Sequence, residues 1–263
     1  MMEKNLRISL MQADIAWEDK FSNLKNYGNL LSNLSGKTDL AVLPEMFSTG
    51  FSMQCYHLAE TNEDRTISEV KTWVDSFGIA IAGSFLAKDE SGNIYNRGFF
   101  ITPEGTSYFY DKRHLFRMGN EHGNFVAGRK QLIVPYKGWN IQLIICYDLR
   151  FPVWIRNVDN AYDLLICSAN WPEVRNLVWE TLLKARALEN QAFVCGVNRI
   201  GEDGNQLKHQ GNSMLISPKG EVLSEMVLNE QAVNTYTINK EELEHFREKF
   251  PSWKDADKFN LIL

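Results

Sequence analysis

The 263-residue sequence lacks the marks of several large functional classes. No apolar run approaches the ~20 residues that cross a bilayer. The start, MMEKNLRISLMQAD, holds no apolar stretch of a secretory leader. The expectation is therefore a cytoplasmic protein with no membrane contact. Lys+Arg number 28 against 33 Asp+Glu, for a formal charge of −5. Nothing here offers the concentrated basic surface that nucleic acid demands. Neither a GxGxxG nor a GxxxxGK[ST] pattern occurs, so dinucleotide and P-loop phosphate sites are not expected. Cys55, Cys146, Cys167 and Cys195 form no CxxC pair and read as reduced thiols rather than a disulfide frame. The five histidines show no pair at metal-ligand spacing on one face, so a zinc site is not expected. GNSML at 211–215 lacks the second glycine of a nucleophile elbow, which leaves Ser213 a poor hydrolase serine.

What the chain has is regular. Short apolar runs alternate with helical patterns almost from end to end, with no Ser/Gly/Pro linker and no charge block between them. LRISLMQA, TDLAVLPE and IAIAGSFLA read as strands, with amphipathic helices near 17–35 and over ISEVKTWVDSFG, the latter stopped by Gly78. NRGFFITPEG and TSYFYDK form a hairpin around a Pro-Glu-Gly turn. A second strand-rich block follows: QLIVPYKGWNIQLIICYD, YDLLICSANWP, the helix VRNLVWETLLKARALENQ, and AFVCGVNRIG. A hairpin around Glu202–Gly204, a Pro-Lys-Gly turn in NSMLISPKGEV and the helix KEELEHFREKF complete the pattern. The expectation is one α/β domain over 1–263, a mixed sheet with helices outside.

DLAVLPE, LIICYD and LLICSANWP share a form: a dense apolar strand that stops sharply at polar residues. Ligands of open α/β folds sit at the carboxyl ends of strands, so these ends are expected to converge. Cys146 alone reads as a packed small apolar residue, like Cys167 and Cys195, but the polar flank YDLR sets it apart. At a strand-to-helix turn its sulfur would meet orphan N–H groups that favour a thiolate. Glu45 closes a buried strand, where an acid needs a partner or a task, whether a cap, an ion pair or proton transfer. Lys112 follows an aromatic strand, and a solubilising edge lysine is its bland reading. Of the histidines only His114, in KRHLF, stands near these candidates.

Taken together, Glu45 in LPEMFSTGF, Lys112 in YDKRHLF and Cys146 in ICYDLRFP resemble the carbon-nitrogen hydrolase (nitrilase) superfamily. ANWP, LLKARALENQAFV, NRIG and GNSMLISPKGE match it in order, so the resemblance covers nearly the whole chain. KRHLFRMGNEH, CYDLRFPVW and REKFPSWKDADKF are similar to the bacterial ω-amidase (2-oxoglutaramate amidase) branch.

The resemblance implies a four-layer αββα sandwich of two mixed sheets flanked by helices, a homodimer, and a Glu45–Lys112–Cys146 triad with Glu121 as a second active-site glutamate. It further implies a thioester route: Glu45 moves the proton, and Lys112 with the Tyr147 N–H holds the oxyanion. The expected substrate is the terminal amide of a small 2-oxo dicarboxylic acid. Its distant carboxylate calls for a cation, for which Arg117 is the candidate, a structural ion pair being its other reading. Arg150 is expected to brace the turn by pairing with Asp148, and Phe116 and Trp171 to wall the pocket or simply pack. Hydrolysis of N-carbamoyl amino acids or nitriles, and a non-catalytic binding protein on this fold, stand as alternatives.

Overall fold

A computed structural model describes residues 4–262. Its centre is a pair of facing sheets. The first is formed by β1 (Asn5–Gln12), β2 (Leu40–Val42), β3 (Ala80–Lys88), β4 (Ile94–Ile101), β5 (Ser107–Asp111) and β13 (Ala232–Asn239), in the order β13-β1-β2-β3-β4-β5. The second contains β6 (Ile133–Tyr136), β7 (Trp139–Ile145), β8 (Leu164–Ala169), β9 (Phe193–Asn198) and β12 (Met214–Ile216), in the order β12-β9-β8-β7-β6. Each sheet has a parallel centre, β1-β2-β3 and β7-β8-β9, and antiparallel edges. A separate hairpin joins β10 (Ile200–Glu202) to β11 (Lys208–Gln210).

The layering follows from the two-residue period of strands. Leu6, Ile8, Leu10, Leu40, Val42, Ala80 and Ala82 point inward and share one core with Ile141, Leu143, Leu164 and Ile166 of the second sheet. Their neighbours Met11, Ala41, Leu43 and Ile81 point outward. There they meet Leu24, Tyr27 and Leu31 of helix α1 (Lys20–Ser32) and Ile67, Val70, Trp73 and Val74 of α3 (Arg65–Phe77). On the opposite side α5 (Asn176–Asn190) lays Trp179, Leu183 and Ala187 on the second sheet, and α6 (Lys240–Lys249) adds Leu243. Burying each such large side chain contributes roughly 1.5–3 kcal/mol. The result is the expected αββα sandwich. Its sheets approach closely at Gly98 on β4, where a Cβ would stand 2.8 Å from a Leu143 methyl. Two single-turn helices, α2 (Cys55–Leu58) and α4 (Glu121–Asn124), sit in the loops above β2 and β5.

α3 ends as its sequence indicates, at Gly78 in the left-handed conformation (φ 66°). The Pro-Glu-Gly hairpin is β4-β5, and that around Glu202–Gly204 is β10-β11. The strand β13 has no counterpart among the sequence expectations. Its half-exposed residues AVNTYTIN carry little apolar signal, yet eight of them pair antiparallel with β1 from Asn5↔Asn239 to Gln12↔Ala232.

Candidate active site

The ends of β2, β5, β7 and β8 meet at one point between the sheets. Glu45 lies just past β2, Lys112 just past β5, and Cys146 directly after β7. All three are buried, as is Glu121 at the start of α4. Lys112 Nζ is 2.8 Å from Glu45 Oε1 and 2.9 Å from Glu121 Oε2. An ammonium with two carboxylates satisfies part of the large desolvation cost of each. Burial works against the lysine's charge, but Glu121 and Glu45 outweigh it and its pKa is raised. Glu121 is likewise pushed up by burial, against the pull of Lys112. Its Oε2 accepts the Phe116 N–H at 2.5 Å, and the Phe116 carbonyl accepts the Glu121 N–H at 3.2 Å.

Cys146 opens a 3-10 turn, Cys146–Arg150, with φ of 42°. A non-glycine residue in this region stores strain of order 1–3 kcal/mol. Asp148 holds the turn: its carboxylate, fully buried, accepts from the Ile145 N–H (3.1 Å), the Tyr110 hydroxyl (2.7 Å), and the N–H and Nδ1 of His114 (2.8 Å each). His114 is thereby part of the scaffold, its ring stacked on Phe151 at 3.8 Å. The thiol lies 3.9 Å from the Asn170 carbonyl and within hydrogen-bonding reach of the Glu45 carboxylate. Burial, then the Glu45 charge, pushes its pKa well up, with Lys112 opposing. This corrects the expected thiolate. A one-turn helix offers too little positive potential to offset full desolvation, so burial favours the neutral thiol.

Lys112 and Cys146 line a cavity of about 660 Å³, with Glu45 and Glu121 buried behind them. Phe116, Tyr147 and Trp171 line it, together with Phe51, Asn170 and the β10-β11 hairpin. Arg117 does not. Both backbone groups of Phe116 are pinned by Glu121, so the next residue rolls outward, and Arg117 stands exposed on its own 3-10 turn. Arg150 and Arg175 line the cavity in its place. The expected Arg150–Asp148 pair is absent because Asp148 is filled by other donors. The Arg150 guanidinium lies over Trp171 (5.0 Å) and Tyr147 (5.9 Å), and that of Arg175 over Phe116 (5.5 Å). Among the described residues neither has a carboxylate within 4.0 Å.

Sequence reasoning passed over Arg175 and two asparagines. Asn170 donates its N–H to Glu45 Oε2 at 2.9 Å and its side-chain amide to the Glu45 carbonyl. Asn96 donates to Glu45 Oε1 at 2.7 Å and Glu121 Oε1 at 3.1 Å. The available signal was a polar residue at an inward position of an apolar strand, as in IYNRGFFI. Among the described residues no cluster of three His, Cys, Asp or Glu is placed to hold a metal ion, and no helix is long and apolar enough to cross a membrane.

The αββα sandwich that carries these residues belongs to a known class. Residues 7–248 match the carbon-nitrogen hydrolase family, and the chain is a member of that family. Among its relatives, Omega-amidase YafV of Escherichia coli K12 is 43% identical over 256 residues, 97% of this chain and 98% of that protein. The 2-oxoglutaramate amidase of Bacillus subtilis is 32% identical, covering 95% and 97%. Among solved structures, XC1258 of Xanthomonas campestris, a CN-hydrolase superfamily protein with an arsenic adduct in its active site, superposes with a TM-score of 0.96. It is 43% identical and covers 98% of this chain and all of that one.

Proposed function

We propose that the protein is an ω-amidase that releases ammonia from the terminal amide of small 2-oxo dicarboxylic acid monoamides such as 2-oxoglutaramate. The observation that carries this reading is the opening of the strained Cys146, just past β7, onto a cavity lined by two guanidiniums that have no carboxylate partner among the described residues. In this mechanism Glu45 Oε2 takes the Cys146 proton as Sγ attacks the amide carbon. Lys112 has two N–H groups committed to Glu45 and Glu121, which leaves the third for the developing oxyanion, with the Tyr147 N–H at the start of the 3-10 turn. Glu45 then protonates the departing nitrogen, ammonia leaves, and a thioester remains. Water deprotonated by Glu45 attacks that thioester, releasing the dicarboxylate and restoring the thiol. No step calls on a cofactor.

Arg150 and Arg175, each held over an aromatic face, replace Arg117 as the readers of the substrate's far carboxylate. The 1–263 chain works as one domain, supported by the core the sheets share. Unpaired cysteines suit a cytoplasmic setting, and exposed Val174 just before α5 with Leu177 and Leu188 on it suit a homodimer, to be checked by sedimentation.

The primary test is ammonia release from 2-oxoglutaramate by the wild type, Cys146→Ala and Cys146→Ser, with mass spectrometry for a trapped thioester. Turnover is expected only with the intact thiol. Full ammonia release by Cys146→Ala would sink the mechanism.

A further inference from the structure

We infer that Asn96, oriented by Ser84, is a positioning residue that decides which oxygen of Glu45 carries the proton. The inference rests on the assignment of Glu45 and Cys146 as base and nucleophile.

Asn96 is fully buried on β4, and its side chain lies between the two carboxylates. Both hydrogens of its amide are committed, to Glu45 Oε1 (2.7 Å) and Glu121 Oε1 (3.1 Å). The amide oxygen faces Ser84 Oγ at 3.1 Å. This orientation is not free to reverse. Ser84 Oγ already accepts the Met46 N–H at 2.9 Å, so its own proton is available for Asn96. A reversed amide would set its oxygen against two carboxylates and leave the serine proton without an acceptor. The backbone carbonyl of Asn96 also accepts the Lys112 N–H at 3.0 Å. One residue thus holds all three charged groups.

The consequence appears at Glu45. Its Oε1 receives Lys112 (2.8 Å) and Asn96 (2.7 Å), which occupy both lone pairs. Its Oε2 receives only the Asn170 N–H (2.9 Å), and one lone pair remains for the Cys146 proton. Without Asn96 the carboxylate has two competing oxygens and a looser rotation. The same donor favours the ionised form of Glu121, opposing the burial that raises its pKa.

The test uses Asn96→Ala, Asn96→Asp and Ser84→Ala, each checked for folding by circular dichroism and thermal midpoint. For the Asn96 variants kcat on the amide substrate is expected to fall about 10- to 100-fold with KM little changed. The acidic limb of kcat/KM should move up by about one pH unit as a donor to the ionised carboxylates is lost. Ser84→Ala keeps the amide but frees its orientation, and should move the limb the same way by less. The pH dependence of Cys146 alkylation by iodoacetamide, read by peptide mass spectrometry, should shift in parallel. Alkylation needs no amide substrate, so it tests the positioning role even where the ω-amidase reading fails. A fall in kcat with both pH profiles unmoved in Asn96→Asp and Ser84→Ala would overturn the inference.

Discussion

Replacing Lys112 by methionine removes the one cation between two carboxylates that are themselves fully buried. The two side chains have similar length, so packing changes little and the perturbation is mainly electrostatic. Breaking a buried ion pair by deleting one partner typically costs about 3–5 kcal/mol, because the remaining charge has no water to solvate it. For a chain of this size that is a fall in thermal midpoint of roughly 10 °C at pH 7.5. Two uncompensated carboxylates at this separation cannot both stay ionised, and the folded pair binds a proton that the unfolded chain does not hold. Stability contributed by such a raised folded-state pKa is present at low pH and lost as pH rises. The deficit of Lys112→Met should therefore shrink toward pH 5 and grow toward pH 8, a steeper dependence than the raised Glu121 pKa alone gives the wild type. Adding Glu121→Gln removes one of the competing charges, so the double variant should be more stable at pH 8 than Lys112→Met alone. Urea midpoints across pH 5–8 on the four proteins measure both effects. A pH-independent loss, or strict additivity of the two substitutions, refutes the electrostatic reasoning. Amide hydrolysis by Lys112→Met should fall by at least about 100-fold, the usual effect of losing an oxyanion donor.

Arg150→Ala and Arg175→Ala should each raise KM for 2-oxoglutaramate about 10-fold or more while leaving a neutral short-chain amide little affected. Equal losses on both substrates would remove them as carboxylate readers. Asp39 resists burial through Arg7 and Lys137, which hold its carboxyl down at about 2. A depressed folded pKa contributes stability above the usual carboxylate range, so Asp39→Asn should destabilise at pH 7. The difference from wild type should fade as pH drops from about 4 toward 2 in acid-unfolding curves. His209, on the hairpin above the cavity, is pushed down to about 4 by burial and then by Arg199. The unfolded chain takes up this proton near pH 6.5, so wild-type stability should fall between pH 6.5 and 4. His209→Gln should flatten that slope in urea titrations.

The fold was largely legible because strand period and apolar density report burial directly: DLAVLPE, LIIC and LLICSA are buried throughout, as their composition demands. β13 escaped that reading because an edge strand owes its place to eight backbone pairings with β1, and main-chain hydrogen bonding leaves little trace in side-chain hydropathy. Glu45 was legible for a related reason, since an acid abutting a buried run needs a partner or a task, whereas Lys112 stood out only through the family resemblance. Asn96 and Asn170 were not legible, because an asparagine satisfied by its neighbours is chemically ordinary until those neighbours are known. Arg117 stands exposed, outside the lining of the cavity. A carboxylate reader must face the cavity, and the reciprocal Phe116–Glu121 hydrogen bonds turn the chain just before it. The same bonds tie the second glutamate to the segment that carries Phe116 into the pocket wall. A substitution at Glu121 therefore disturbs both the charge balance around Lys112 and the shape of the cavity, and Glu121→Gln separates the two. The amide keeps an oxygen for the Phe116 N–H but removes the charge, so KM should hold while the pH profile of kcat shifts.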